Sequence, residues 1–118
     1  MAAAASDWGL PTYKLIFNAG TELHGADNPF LWGFGNSTAN NATLANIMKD
    51  YYLGFVLNLD PNSISNSGTP KPNWPQYQSG PYGFSVIDVN YTMMGVIPDM
   101  DASARCDFFH GQSYVVRN

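Results

Sequence analysis

Charge is scarce in this chain: only 12% of its 118 residues are Asp, Glu, Lys or Arg, and the five basic ones, Lys14, Lys49, Lys71, Arg105 and Arg117, stand singly. No cationic patch can neutralise phosphates, so nucleic acid is not an expected partner. Cysteine is scarcer still. Cys106 is alone, which excludes a disulfide within the chain and any pair at metal-ligand spacing. No apolar run approaches the roughly 18 residues that a transmembrane helix requires, so no transmembrane segment is expected. The stretch Met1 to Ser6 has no basic region, and its alanine run is shorter than the apolar core of a signal peptide. No leader is expected there, and the localisation of the chain itself stays open.

Hydrophobic residues make up 45% and aromatic residues 14% of the chain. With so little charge, that composition belongs to a packed globular fold and not to a disordered segment. The three sequons at Asn36, Asn41 and Asn90 carry little weight, because twelve asparagines produce one or two such triplets by chance.

After the Gly9-Leu10-Pro11 breaker, Thr12 to Asn18 reads as a strand that places Tyr13, Leu15 and Phe17 on one face and Ile16 on the other. The polar, glycine-containing stretch from Ala19 to Asn28 reads as a loop at the end of that strand, and His24 lies in it. The strongest periodic signal follows. Leu44, Ile47, Met48, Tyr51, Tyr52, Phe55, Val56 and Leu59 recur at helical spacing, which predicts a helix with one continuous apolar stripe, capped by Asn40 or Asn41 and stopped by Pro61. Residues 62 to 83, rich in Pro, Gly, Ser and Asn, predict a long surface loop pinned by Trp74 and Tyr77. Phe84 to Tyr91 predicts a strand with a hairpin partner in Met93 to Ile97. Asp99 or Asp101 is expected to cap a last helical turn running from Ala104 to Phe109.

The fold class is therefore mixed α/β. The helix stripe needs a covering surface that this chain does not encode, so a missing N-terminal part or a partner chain over residues 44 to 59 is expected.

Candidate catalytic residues are few. A serine elbow requires Gly-x-Ser-x-Gly, since glycines permit the strained turn that exposes the hydroxyl, and no serine here satisfies it. Gly83-Phe84-Ser85 and Gly111-Gln112-Ser113 match only the first half and run on into strand-like residues. Cys106 has no base at helical spacing and reads as a structural thiol. His24 and His110 belong to no metal-binding pattern, and no phosphate loop is present, so neither a metal nor another cofactor is expected. On residue type and position alone, His24 reads as an ordinary hydrogen-bonded or surface loop histidine.

The residues around His24 shift that reading. Thr21-Glu22-Leu23-His24-Gly25-Ala26-Asp27-Asn28-Pro29-Phe30-Leu31-Trp32-Gly33 resembles the segment around the triad histidine of type-B carboxylesterases and lipases. Upstream, Gly9 to Asn18 is similar to the strand that leads into it. Downstream, Tyr51-Tyr52-Leu53-Gly54-Phe55, Asp60-Pro61-Asn62, Asn73-Trp74-Pro75-Gln76-Tyr77 and Asp107-Phe108-Phe109 resemble that family's next helix, its exit turn, its tryptophan-proline-x-tyrosine motif and its closing helix.

The order and spacing agree over essentially the whole chain, and the variant resembles fungal members. The resemblance implies an α/β-hydrolase of which residues 1 to 118 are a partial, C-terminal domain. It implies that His24 is the general base of an ester hydrolysis, that an acyl ester or lipid is the substrate, and that full-length relatives are secreted. The nucleophile, the acid and the oxyanion-hole glycines would lie N-terminal to this segment, because the family's triad runs Ser, then Asp/Glu, then His. The chain alone is thus expected to be inactive. Asp27, at the family's acidic position after His-Gly, is expected to brace the loop or cap a turn. The alternative is a non-catalytic interaction module that retains the C-terminal lobe.

Overall fold

The structure, a computed structural model, describes residues 2–21, 23–33, 41–78, 84–105 and 108. Helix α1 spans Ala2–Asp7, strand β1 Leu15–Phe17, helix α2 Asn28–Trp32, helix α3 Ala42–Asn58, strand β2 Ser85–Val89 and strand β3 Gly95–Pro98. The three strands form one sheet in the order β1-β2-β3. β1 and β2 run parallel with Leu15 opposite Ile87 and Phe17 opposite Val89, and β2 and β3 run antiparallel with Val86 opposite Ile97. A parallel pair cannot be joined by a tight turn, and α3 lies in the crossover between β1 and β2. This is a small mixed α/β arrangement, as the sequence pattern predicts.

Two short helices were not expected. α1 forms over a run of alanines, the best helix formers. α2 begins with Pro29 in its first turn, where the missing N–H costs no bond and the fixed φ favours a helix. β1 is also shorter than predicted, since only Leu15–Phe17 enter the ladder. Tyr13 nonetheless packs with Leu15 and Phe17 against one core, so their shared face is as expected.

α3 starts as the sequence indicates: the Asn41 side chain accepts from the Leu44 backbone N–H at 3.0 Å. Its end comes before Pro61. Leu59 takes a left-handed conformation with φ 57° and donates its N–H to the Phe55 carbonyl at 2.8 Å. Leu44, Ile47, Met48 and Tyr51 are buried in the core with Ile87, Val89, Phe30 and Trp74. The second half of the predicted stripe is not buried. Tyr52, Phe55, Val56 and Leu59 are exposed, Val56 at 73%. The sheet, α2 and the segment after α3 cover one side of the helix through Ile87, Val89, Phe30 and Trp74.

The long segment after α3 is held by side chains, because it has no ladder of its own. Asn62 pairs with the Trp74 backbone in both directions, donating to its carbonyl at 2.9 Å and accepting from its N–H at 2.8 Å. Trp74 then donates its indole N–H to the Lys14 carbonyl at 3.0 Å, and the Tyr77 N–H donates to the Thr12 carbonyl at 2.7 Å. Trp74 and Tyr77 are the pins that the sequence suggests.

Candidate functional site

His24 lies on the loop that leaves the carboxyl end of β1, and its side chain is exposed. It makes no hydrogen bond to another described residue. The loop is two successive turns. The Ala26 N–H donates to the Leu23 carbonyl at 2.9 Å and the Asn28 N–H to the Gly25 carbonyl at 3.1 Å. Gly25, with φ 78°, occupies the third position of the first turn, where a positive φ favours glycine. This places His24 at the tip, with Gly25 supplying the backbone freedom. The Asp27 side chain makes no cap bond at α2; its carbonyl accepts from the Phe30 and Leu31 N–H groups at 3.0 and 3.3 Å instead. Glu22 lies outside the described residues.

A polar cluster holds the start of this loop. Asp88 on β2 stands opposite Ile16 in the parallel register, so Asp88, Asn18 and Asn90 share the sheet face opposite the one that α3 covers. Asn18 donates its amide to Asp88 Oδ1 at 2.5 Å, and Asn90 donates to Asp88 Oδ2 at 2.6 Å. Asn90 Oδ1 in turn accepts from the Thr92 and Met93 backbone N–H groups at 3.0 and 2.7 Å. The Asn90 sequon therefore carries a structural side chain. Asn41 likewise spends its carbonyl on the α3 cap, and Asn36 lies outside the described residues.

The strongest electrostatic feature lies near the amino end of β1. Lys14 Nζ donates to both carboxylate oxygens of Asp99, at 2.9 and 2.7 Å, and to Asp101 at 3.0 Å. Tyr77 donates its hydroxyl to Asp99 Oδ2 at 2.6 Å, and the Asp101 backbone N–H donates to Oδ1 at 3.0 Å. Burial works to raise the pKa of Asp99, but the bonds from Lys14 and Tyr77 outweigh it and hold the carboxyl below its ordinary value. Burial works against the Lys14 charge too, and its two carboxylate partners leave it above the usual ammonium value. The Tyr77 phenol is raised by burial and by its bond to Asp99.

Asp99 and Asp101 are thus ion-pair partners of Lys14; of the expected last turn, residues 104, 105 and 108 are helical, and residues 106, 107 and 109 lie outside the described residues. This cluster ties down Lys14, the 74–77 segment and the chain after β3. Its groups bond one another, and none points to a reacting centre.

A third feature is apolar. Two clefts along α3 share Tyr52 and Val56; one is completed by Tyr13, Tyr51, Phe55, Pro61 and Trp74, the other by Leu31, Trp32, Lys49 and Leu53. Trp32 is 71% exposed. This is the surface that the sequence leaves without a cover.

Ser85 opens β2 and is a strand residue, as its sequence context indicates. Cys106, His110 and Ser113 lie outside the described residues. Among the described residues no group of three or more His, Cys, Asp or Glu side chains could hold a metal ion, and no helix is long and apolar enough to cross a membrane. The Asp88 and Lys14 clusters escape a reading of the sequence because their partners lie 70 and 85 residues apart, too far for any local spacing rule. In comparisons with known proteins, no family model matches the chain and no curated protein matches it.

Proposed function

We propose that this chain is the C-terminal part of a carboxylic ester hydrolase of the type-B carboxylesterase/lipase kind, with His24 as the general base. The observation that carries this reading is the position of His24: an exposed imidazole at the tip of a turn that leaves the carboxyl end of a strand in a parallel pair. Loops at that end of parallel strands are where α/β proteins gather reacting groups. The run from Thr21 to Gly33 and the Trp74-Pro75-Gln76-Tyr77 motif add the family resemblance.

In this reading His24 takes the proton from a serine hydroxyl as the serine oxygen attacks the ester carbonyl carbon. It then returns that proton to the leaving alcohol oxygen as the carbon–oxygen bond breaks. The serine and the acid that orients the imidazole come from sequence N-terminal to this segment, so the chain by itself has no turnover. The substrate class is an acyl ester or lipid.

A second reading, a non-catalytic interaction module, draws support from the apolar surface around Trp32, Tyr52 and Val56, because contiguous exposed apolar patches mark contact sites. It gives His24 no chemical role.

The purified chain and its His24→Ala variant, incubated with p-nitrophenyl butyrate and separately with a serine-directed fluorophosphonate, test the absence of a nucleophile. The expected result is no release of nitrophenol above buffer and no labelled serine in either protein. Turnover that disappears in His24→Ala, together with a labelled serine, contradicts the proposal, since a complete hydrolase would then reside in these residues.

A further inference from the structure

His24 has no hydrogen-bonding partner among the described residues to orient it, so its direction depends on how its loop is fastened. Besides the burial of Ala19 in the core and the backbone bond from Asn18 to Val89, three side-chain contacts fasten it. At the start, Asn18 is bonded to the Asp88 carboxylate. In the middle, Gly20, with φ 82°, lies so close to the Tyr91 hydroxyl that an added Cβ would sit 3.1 Å from it. At the end, Phe30 of α2 packs against Phe17 and Tyr91, with ring centroids 5.5 and 6.1 Å apart. The last two are apolar or steric contacts that tolerate sliding; the first is a directed, charge-assisted bond.

We infer that Asp88 and Asn18 are positioning residues for His24, a clamp across the carboxyl ends of β1 and β2 that fixes where the histidine loop leaves the sheet. The inference rests on the reading of His24 as a general base. Asp88 is suited to the task because each of its two oxygens already takes one amide donor, Asn18 on Oδ1 and Asn90 on Oδ2. Its carboxylate is spent on geometry.

Asn90 is itself held by the Thr92 and Met93 backbone, so the clamp is anchored to the turn after β2 and does not swing with the loop. The Asn18 backbone N–H adds a bond to the Val89 carbonyl at 2.7 Å, which sets the height at which the side chain meets Asp88. From Asn18 onward Gly20 and Gly25 hold positive φ, at 82° and 78°, conformations that other residues rarely adopt. A fixed exit sets where these turns begin and so where the imidazole points. Misplacing a catalytic group by about 1 Å costs on the order of 100-fold in rate, so such a clamp would matter to a base.

Amide hydrogen exchange and the His24 ring Hε1–Cε1 NMR signal, recorded on the full chain, test this. Asn18→Ala breaks the clamp without changing any charge, and Asp88→Ala breaks it from the other side. In both variants the turn amides of Ala26 and Asn28 are expected to exchange at least tenfold faster and the His24 signal to move, while the α3 amides of Ile47 to Tyr51 keep their protection. Lys14→Met, which disrupts the cluster near the other end of β1, is expected to leave the His24 signal in place.

An unchanged loop and signal in both clamp variants overturn the inference. So does exchange that rises equally in α3, or a response of the same size in Lys14→Met, since either marks general loosening. An unsubstituted chain whose α3 amides exchange freely also overturns it, by removing the fold on which the clamp rests. None of these outcomes bears on whether an ester is cleaved, and an esterase reading that fails on the enzymatic assay leaves the clamp result intact.

Discussion

Asp99 keeps its charge with its side chain fully buried because Lys14, Tyr77 and a backbone N–H supply what water would have supplied. Removing one partner of such a pair strands the other charge, and that is more costly than the pair is worth. Lys14→Met keeps the aliphatic stem and is expected to lower the unfolding free energy by about 3 kcal/mol, read from urea midpoints at pH 7.

The pH dependence follows from the directions of the shifts. Asp99 lies below its ordinary carboxylate value, so its contribution is present above about pH 4 and is lost as pH falls through the depressed value. Lys14 and Tyr77 lie above their ordinary values, so their contributions are present below about pH 10 and are lost as pH rises through the raised ones. The gap in stability between the wild type and Lys14→Met should therefore be widest between these limits and narrow on both sides. A gap that is constant from pH 3 to pH 11 would show that the cluster contributes packing and not charge.

Helix α3 shows how an element-scale rule can reverse sign. A glycine within a helix usually costs about 1 kcal/mol relative to alanine. At Gly54, however, an added Cβ would lie 2.9 Å from the Asp60 carbonyl oxygen and 3.1 Å from that of Pro61, both backbone atoms that cannot swing away. Gly54→Ala is expected to destabilise the chain by about 1–3 kcal/mol, measured by chemical denaturation. Gain of stability would mean that the turn after α3 stands farther off.

The same helix marks what the sequence discloses. Its existence, its Asn41 cap and its buried residues up to Tyr51 follow from local periodicity and capping chemistry, and the structure agrees. The strands β2 and β3 and the Trp74 and Tyr77 pins were legible for the same reason, since aromatic and β-branched residues between turn formers carry a local signal. The exposure of Tyr52, Phe55 and Val56 agrees with the reading that the chain encodes no full cover for the stripe; which half stays uncovered was not legible, because periodicity states which face is apolar and not what packs on it. The position of His24 was legible, but its fastening through Asp88 was not, for a bond across 70 residues depends on strand register.

At the scale of the whole molecule, the sheet has three strands and the longest helix leaves half of its apolar stripe in water. Val56→Lys, at a position 73% exposed, is expected to change the unfolding free energy by less than about 0.5 kcal/mol while reducing self-association in size-exclusion chromatography. A large loss of stability would mean that Val56 is buried in solution.

The central claim is that this histidine belongs to an ester-hydrolysing triad whose other members lie upstream. Sequencing the transcript from its 5′ end tests that most directly. The expected transcript holds an open reading frame continuous with these 118 residues that encodes a Gly-x-Ser-x-Gly elbow and, after it, an acidic residue in the order Ser, Asp/Glu, His24. A reading frame that begins at Met1, or one extended upstream with no such elbow, would contradict it.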